Sequence, residues 1–336
     1  MRTHDVAILP GDGIGPEVVD ATIKVLDAVQ KKFDFKLNYH FGEAGENCIK
    51  KYGTNVPKKT IEMLKKTKAC LKGPMTTLED PKAPPSAALQ IRKLFDLYAN
   101  VRPCKSLPHT GALKPNIDLV IVRENTEGLY SGIEKKTKDG AIAYRVITKK
   151  ASERIAKFAF GLSEKRRRHL TYVHKANIMR LTDGIFNSAV MKIAKNYSDV
   201  KIDDLHIDAA AANLVKKPEE YDVMVTTNLF GDILSDLCAQ VVGGLGLVAG
   251  ANIGDKYGMF EPVHGSAPKY AGQNKVNPIA TIFAAKMMLE HIGELKAAEV
   301  IENAVIKVLR EGKIRTYDLS GSSTTKELGH AIAEMV

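Results

Sequence analysis

The chain lacks most of the features that would place it outside ordinary globular proteins. Its four cysteines, Cys48, Cys70, Cys104 and Cys238, are scattered without paired spacing. That excludes a disulfide framework and a zinc cluster and leaves them as reduced, structural thiols. No apolar run approaches the roughly 20 residues of a membrane span. Met1-Arg2-Thr3-His4-Asp5 passes directly into the strand-like Val6-Ala7-Ile8-Leu9, with no signal-peptide hydrophobic region, so a cytoplasmic location is expected. No internal repeat or low-complexity linker breaks the chain, and no basic amphipathic helix carries the bulky aromatic anchors that a membrane surface requires. What is present is an ordinary globular composition: 336 residues, 44% hydrophobic and 26% charged, enough for a large core or two domains.

The formal charge of +10 leaves nucleic acid, a membrane surface or anionic small molecules as partner classes. The densest basic run, Lys165-Arg166-Arg167-Arg168-His169, lies between a helical pattern (Ala151 to Leu162) and a strand, without aromatic side chains on which bases would stack. It reads as a solvated loop, which points away from nucleic acid and toward small anions.

Along the chain, Val6 to Leu9 reads as a buried strand and Pro10-Gly11-Asp12-Gly13-Ile14-Gly15 as a turn. Pro16 to Lys31 reads as a helix with Val19, Ile23, Leu26 and Val29 on one stripe. This strand-turn-helix opening suits an α/β protein, but Gly11-x-Gly13-x-Gly15 lacks the G-x-G-x-x-G spacing of a dinucleotide fingerprint, so a Rossmann site is not expected here. Lys58 to Lys68 is helical, Ala69-Cys70-Leu71 strand-like, and Pro74 to Pro85 a loop before a helix that Ser86 caps. A second unit begins near Val101. It contains a strand over 119–122, a polar excursion from Glu124 to Gly140 and an alternating Ile142 to Ile147, which together read as a protruding arm that a partner would cover. Glu261 to Pro268 is a loop without period, and helices from about Asn277 to Gly293 and Ala297 to Gly312 finish the core.

The strongest chemical signal is Gly231-Asp232-Ile233-Leu234-Ser235-Asp236, which puts two carboxylates four residues apart on one face of a helix, following the apolar run Val223-Met224-Val225. Two like charges so placed repel unless a cation lies between them. Arg92, Arg102, Arg123 and Lys175 each follow other apolar stretches. A metal plus arginines implies a polycarboxylate substrate.

Six segments together resemble the metal-dependent β-decarboxylating dehydrogenases that act on isocitrate, isopropylmalate, homoisocitrate and tartrate. They are Gly11-Asp12-Gly13-Ile14-Gly15-Pro16-Glu17, Leu97-Tyr98-Ala99-Asn100-Val101-Arg102-Pro103 and Arg123-Glu124-Asn125-Thr126-Glu127-Gly128-Leu129-Tyr130, then His174-Lys175-Ala176-Asn177, Asn228 to Asp236 and His264-Gly265-Ser266-Ala267-Pro268. The resemblance spans nearly the whole chain. It implies an α/β, non-Rossmann two-domain fold with a mixed sheet. The large, cofactor-binding domain would be residues 1–100 and 250–336, and the small domain residues 101–249 with the arm at about 125–147. The active site would lie in the interdomain cleft.

The same resemblance implies that Asp232 and Asp236 bind Mg²⁺ or Mn²⁺ together with Asp208 of a neighbouring subunit, that Lys175 also reaches across, and that the protein is a homodimer with shared active sites, with a tetramer as the alternative assembly. Lys175 would act as base, Tyr130 would protonate the enolate left by CO₂ loss, and Asp208 completes the catalytic set. Thr77, Ser86, Arg92, Arg102, Arg123, Tyr130, Lys175 and Asn177 would bind substrate, with the arginines as planar forks for carboxylates.

Isocitrate enzymes resemble Ser-x-Asn-x-x-x-Arg just before the first arginine; here Ser86-Ala87-Ala88-Leu89-Gln90-Ile91-Arg92 keeps the serine and replaces the asparagine with Ala88. Isocitrate is expected, with homoisocitrate or 3-isopropylmalate as alternatives. The cofactor side is expected at Thr76, His264, Gly265, Ser266, Ala267, Pro268, Lys269, Tyr270, Val276, Asn277 and Tyr317. NAD-dependent relatives carry an aspartate after His-Gly-Ser-Ala-Pro, and Lys269-Tyr270 here implies NADP instead. Gly321 stands where the NADP pattern has an arginine, which weakens phosphate binding. A silent regulatory subunit is the non-enzyme alternative, disfavoured because the catalytic positions are all present.

Overall fold

The computed structural model describes residues 1–80 and 83–336; Pro81 and Lys82, inside the expected Pro74–Pro85 loop, lie outside the described residues. In chain order the elements are β1 (Arg2–Leu9), α1 (Gly15–Lys32), β2 (Phe35–Phe41), α2 (Glu46–Tyr52), α3 (Lys58–Lys66), β3 (Ala69–Lys72) and α4 (Ala87–Leu94). They continue with β4 (Ala99–Lys105), β5 (Asp118–Glu124), β6 (Glu134–Lys136), β7 (Ala141–Ala143), α5 (Lys149–Glu164), β8 (His169–His174), α6 (Thr182–Ala194), β9 (Lys201–His206) and α7 (Ile207–Lys216). The last are β10 (Val223–Thr226), α8 (Asn228–Val241), β11 (Ala249–Ile253), β12 (Gly258–Pro262), α9 (Ile279–His291), α10 (Leu295–Glu311) and α11 (Thr325–Met335). No described helix is long and apolar enough to cross a membrane, and all four cysteines are free and buried.

The chain folds as two compact units. The first holds Met1–Phe95, Leu107–Ala112 and Gly243–Val336; the second holds Asp96–Ser106 and Leu113–Val242. Against the expected 1–100 with 250–336 and 101–249, residues 96–100 fall in the second unit, and 107–112 and 243–249 fall in the first.

In the first unit the strands run β2-β1-β3-β12-β11. β1 is parallel to β2 and β3, and β3 is parallel to β12, while β11 runs antiparallel beside β12. Val6 to Leu9 and all of β3 are buried on both faces, as the continuous apolar runs of a covered parallel sheet demand. α1 packs on α11 and α9. Its buried stripe is Val18, Val19, Thr22, Val25, Leu26 and Val29, so Ile23, expected inside, is only partly covered. α11 escaped the sequence reading although Thr324 and Glu327 form a complete capping box at its start.

Because β1, β3 and β12 are mutually aligned, the segments after Leu9, Lys72 and Pro262 leave the same end of the sheet, where ligands of open α/β sheets bind. Glu261 belongs to β12 and not to the irregular loop in which the sequence placed it.

In the second unit the order is β4-β5-β10-β8-β9, with β5, β10, β8 and β9 parallel and β4 antiparallel to β5. The antiparallel edge matters for position. Asn100 pairs with Arg123, so the beginning of β4 lies beside the end of β5 and brings Arg102 to the strand end from which α8 departs. β6 and β7 pair as a two-stranded ribbon exposed along its length. It is shorter than the alternation from Ile142 to Ile147 suggested, and a Gly128–Val146 bridge closes its root.

Candidate active site

In the second unit, α8 presents Asp232 and Asp236 on the side that faces β4 and β5. Arg102 reaches both: Nη1 donates to Asp236 Oδ1 at 3.0 Å and Nη2 to Asp232 Oδ1 at 3.3 Å, while its Nε donates to Asn100 and its Nη1 also to Ser235. Arg123 donates to Asp232 and, through Nε, to Asn228 Oδ1 at 2.9 Å. The Tyr130 hydroxyl donates to the other oxygen of Asp232, and the Arg123 guanidinium lies 4.8 Å from its ring centre. The acid pair, Asp232 partly covered and Asp236 exposed, is thus countered from beneath by two buried arginines.

Gly231 makes this packing possible, since a Cβ there would stand 2.6 Å from Cβ of Arg123. Burial raises the Asp236 carboxyl above its ordinary range, opposed by Arg102. Burial, together with the hydrogen bond to Asp232, also raises the Tyr130 phenol above its ordinary value, opposed by Arg123.

A second group sits at the ends of β8 and β9. Lys175 Nζ donates to Asp208 Oδ1 at 2.5 Å, and that hydrogen bond holds the Asp208 carboxyl below the usual carboxylate range. Asn177 is exposed two residues on. Among the described residues no three acidic, histidine or cysteine groups converge as a metal site. Asp232 and Asp236 are hard oxygen donors on one helical face, the kind a Mg²⁺ or Mn²⁺ shell uses; they pair here with Arg102, Arg123 and Tyr130, as Asp208 pairs with Lys175, so a cation at any of these carboxylates would exchange for those partners.

The first unit carries the residues matched to the cofactor. Thr76 N–H donates to Asp12 Oδ2 at 2.9 Å, and the Thr76 hydroxyl bonds that of Ser266 at 2.8 Å. Ile14 N–H donates to Ser266 O and Asp12 N–H to Pro74 O, each at 2.9 Å. The 10–15 turn is thus the hinge pin of three loops. Gly11 and Gly13 have φ of 78° and 57°, and a Cβ on them would meet Pro74 O at 2.1 Å and Ser266 O at 2.0 Å. Asp12, passed over in the sequence, is buried and ties the Thr76 loop to α2 by accepting from Glu46 N–H at 2.9 Å. The x-G-x-G-x spacing around it was the available signal.

His264 bonds the Gly265 carbonyl through Nδ1 at 3.0 Å, so Nδ1 carries the proton and Nε2 is left a buried acceptor without a partner. Burial lowers this imidazole's pKa and keeps it neutral. Ala267 is left-handed at φ 37°, which turns the chain into the Pro268–Tyr270 helical turn. Val276 packs with Ile14 and Val18, and Ala267 and Tyr270 rest on that cluster. Asn277 accepts from Ile279 N–H and donates to Asp318 at 3.0 Å.

Exposed Lys269 lies over the Tyr270 ring, Tyr270 stands beside Tyr317 at 5.8 Å, and Lys275 lies 5.0 Å from the Tyr317 ring centre. Lys275 is a cation of this cluster that the sequence did not single out. At position 321 a Cβ would fall 2.1 Å from the Arg315 carbonyl oxygen, so the local backbone admits glycine and not arginine.

Arg92, on α4, is held by Glu261 at 2.9 Å, and the same carboxylate takes Lys72 at 2.8 Å and Asn252 at 2.7 Å. Burial acts to raise Glu261, but Lys72 and Arg92 overcome it and hold the carboxyl far below its ordinary range. Nε of Arg92 remains buried without a hydrogen-bond partner. Ser86 caps α4, accepting from Leu89 N–H at 3.2 Å, and keeps its own proton to donate. Thr77 is exposed.

An α/β protein with parallel strand ends that gather an acid pair under arginines, a lysine–aspartate pair and a glycine-pinned triple loop is built as a ligand-handling enzyme. The family described as isocitrate/isopropylmalate dehydrogenase matches residues 5–332. An isocitrate/homoisocitrate dehydrogenase of Thermus thermophilus is 47% identical over 98% of each chain. A 3-isopropylmalate/3-methylmalate dehydrogenase of Methanocaldococcus jannaschii is 46% identical over 99% of each. The crystal structure of isocitrate dehydrogenase from Methylococcus capsulatus superposes with a TM-score of 0.93 at 44% identity, covering 99% of both chains. The chain belongs to the isocitrate/isopropylmalate dehydrogenase family and is an oxidoreductase of that fold.

Proposed function

We propose that the protein oxidatively decarboxylates a 3-substituted malate, producing a 2-oxo acid and CO₂, with NADP as electron acceptor and Mg²⁺ or Mn²⁺ as cofactor. The observation that carries this is the Asp232/Asp236 pair under Arg102, Arg123 and Tyr130: hard oxygens for a dication, beside forks that fit carboxylates. When bound, the metal would supply positive charge that eases loss of the hydroxyl proton and the nicotinamide would accept two electrons and a hydrogen from the alcohol carbon.

The chain's residues do the remainder. Arg92, Arg102 and Arg123 orient the carboxylates, and Lys175 takes the hydroxyl proton through Nζ. After the β-carboxylate leaves as CO₂, Tyr130 returns a proton from its hydroxyl to the carbon that lost it. The unpartnered Nε2 of His264 fits the amino group of an adenine, and Lys269, Lys275, Tyr270 and Tyr317 fit a 2′-phosphate, which supports NADP.

The substituent at C3 is the open variable. Ser86, with its donor free, favours a carboxylate there, as in isocitrate and homoisocitrate. Ala88 and Leu89 beside it favour an alkyl group. Several relatives of 42–46% identity are named as 3-isopropylmalate dehydrogenases, and others as homoisocitrate dehydrogenases, so those two readings draw more support from the relatives than isocitrate does.

The reading includes a homodimer. Ile133, Ile142, Tyr144, Val215 and Ile233 are exposed at 48–56% on the ribbon, α7 and α8, and a two-stranded ribbon is marginal without a covering partner. A second chain would then supply Asp208 and Lys175. The test is a panel of isocitrate, homoisocitrate and 3-isopropylmalate with NAD and NADP, with and without chelator. Turnover of one of them that chelation abolishes is expected; inactivity on all three in the presence of Mn²⁺ rejects the reading. For the shared site, mixing Lys175→Ala with Asp232→Asn subunits should restore part of the activity that each lacks alone.

A further inference from the structure

Arg145 follows β7 at the root of the exposed ribbon, immediately before the Gly128–Val146 bridge. Nothing in its sequence context marked it. Its side chain is only 15% exposed, and the guanidinium spreads over three places within the second unit. Nη1 pairs with Asp183 Oδ1 at 2.6 Å and donates to the Thr182 hydroxyl at 2.7 Å, both at the start of α6. Nη2 donates to the hydroxyl of Thr227 at 3.0 Å, and the group lies 5.3 Å from the ring centre of Phe230.

Two of these partners lead to the chemistry. Asp183 is fully buried, and its second oxygen accepts the backbone N–H of Lys175 at 2.6 Å. Thr227 is the N-cap of α8, the helix that carries Asp232 and Asp236, yet its side chain makes no capping bond to that helix and faces Arg145 instead. The cap has been given over to the arginine. A buried aspartate needs a charge partner, and a planar fork can satisfy several acceptors at fixed angles where an ammonium cannot.

We propose that Arg145 is a positioning residue that holds the Lys175 backbone, through Asp183, and the N-terminus of the Asp232/Asp236 helix, through Thr227, against the root of the ribbon. This rests on the roles given above to Lys175 and α8. If Lys175 serves the partner's site while α8 serves its own, one guanidinium sets geometry in both sites of a dimer, and the ribbon becomes a lever between assembly and catalysis. The neighbouring Tyr130, on the other side of the ribbon's root, contacts Asp232, so both strands of the root end on α8.

The test compares Arg145→Met, Arg145→Lys and Thr227→Val in the full-length protein. Displacement of reacting groups by about 1 Å costs on the order of 100-fold. Arg145→Met is therefore expected to lower kcat about 10- to 100-fold with the nicotinamide KM moved less than about threefold, and to speed hydrogen exchange at the Lys175 amide. Arg145→Lys restores the Asp183 pair and should recover the Lys175 amide protection but only part of kcat, because it cannot also hold Thr227. Thr227→Val spares the buried aspartate and should lower kcat with Lys175 protection intact. A folded Arg145→Met with kcat within twofold and an unchanged Lys175 amide overturns the proposal. If Arg145→Met does not fold, an unaltered kcat in both Arg145→Lys and Thr227→Val overturns it equally. Inactivity of the parent protein on the whole substrate panel would reject the functional reading instead, while the exchange rate of the Lys175 amide still decides whether the brace exists.

Discussion

In the first unit Thr76 and the His264–Lys269 run, matched to the cofactor, sit on loops that are held by backbone hydrogen bonds and by glycines whose missing Cβ lets carbonyls approach. In the second unit Arg102, Arg123, Asp232 and Asp236, matched to substrate and metal, sit on strands and a helix and are held by charge. The loops at Gly11–Gly15, Gly73–Thr76 and Val263–Lys269 interlock through Ile14, Pro74, Asp12 and Ser266. By contrast Arg102, Arg123, Tyr130, Asp232 and Asp236 form one network in which each side chain is the counter-charge or donor of another. The difference is in what each ligand needs. A dinucleotide is long and is met by loop backbone at the ends of parallel strands. A small polycarboxylate needs a few donors at fixed angles, which regular elements supply with less freedom.

The largest expected effect lies in the charge-held region. Asp232→Asn removes the negative charge shared by Arg102, Arg123 and Tyr130 and turns one of its two acceptor oxygens into a donor, and a loss of about a thousandfold in kcat/KM is expected from steady-state kinetics. Retention of more than a tenth of the activity would show that the network tolerates a neutral partner and would dissolve the contrast.

Glu261→Gln sharpens the comparison, because it tests charge inside the first unit. It leaves Lys72 and Arg92 buried without a carboxylate, and a loss of about 3 kcal/mol at neutral pH is expected in urea unfolding. The folded Glu261 carboxyl lies far below its ordinary value, so its contribution is fully present above the unfolded carboxylate range near about 4.3 and is lost as pH falls below it. The stability gap between parent and variant should therefore be constant from neutral pH down to mildly acidic conditions and narrow only in acid. A gap that widens on acidification would contradict the assignment.

Gly13→Ala probes the loops. With φ at 57° and the new Cβ 2.0 Å from Ser266 O, the three loops must separate, at a cost of about 2 kcal/mol, and the nicotinamide KM should rise while the metal requirement stays as it was. Unchanged cofactor binding would mean that the loop junction is purely structural. The smallest effect is expected for Lys275→Met, which should raise the KM for NADP about threefold without altering that for NAD. Gly321→Arg, by contrast, is expected to weaken both cofactors, since the Arg315 carbonyl leaves no room for it.

Much of this was open to reading in the linear order of residues. The buried runs of β1, β3 and β10, the helices α1, α9 and α10, the cap at Ser86 and the family itself follow from apolar periodicity, N-cap chemistry and local motifs, all of which act over a few residues. The reading fell short where a signal was local but went unused, as with the capping box of α11, and where no local signal exists. Phe35 to Phe41 and Lys201 to His206 become strands only because β1 and β8 offer them parallel partners.

The amino-acid order by itself determined which chemistry is available: paired acids at helical spacing, arginines and a lysine at strand ends, glycines where backbones cross, and a lysine–tyrosine pair directly after the His264–Pro268 run. Only the tertiary structure decided how those groups are spent. It turned Arg102 and Arg123 onto Asp232 and Asp236, gave Asp12 to Thr76, set Glu261 between Lys72 and Arg92, and placed Arg145 between Asp183 and Thr227. The physical reason is that a buried charge has to find its partner across long stretches of chain, and which partner it meets depends on strand order and direction, not on neighbours in sequence.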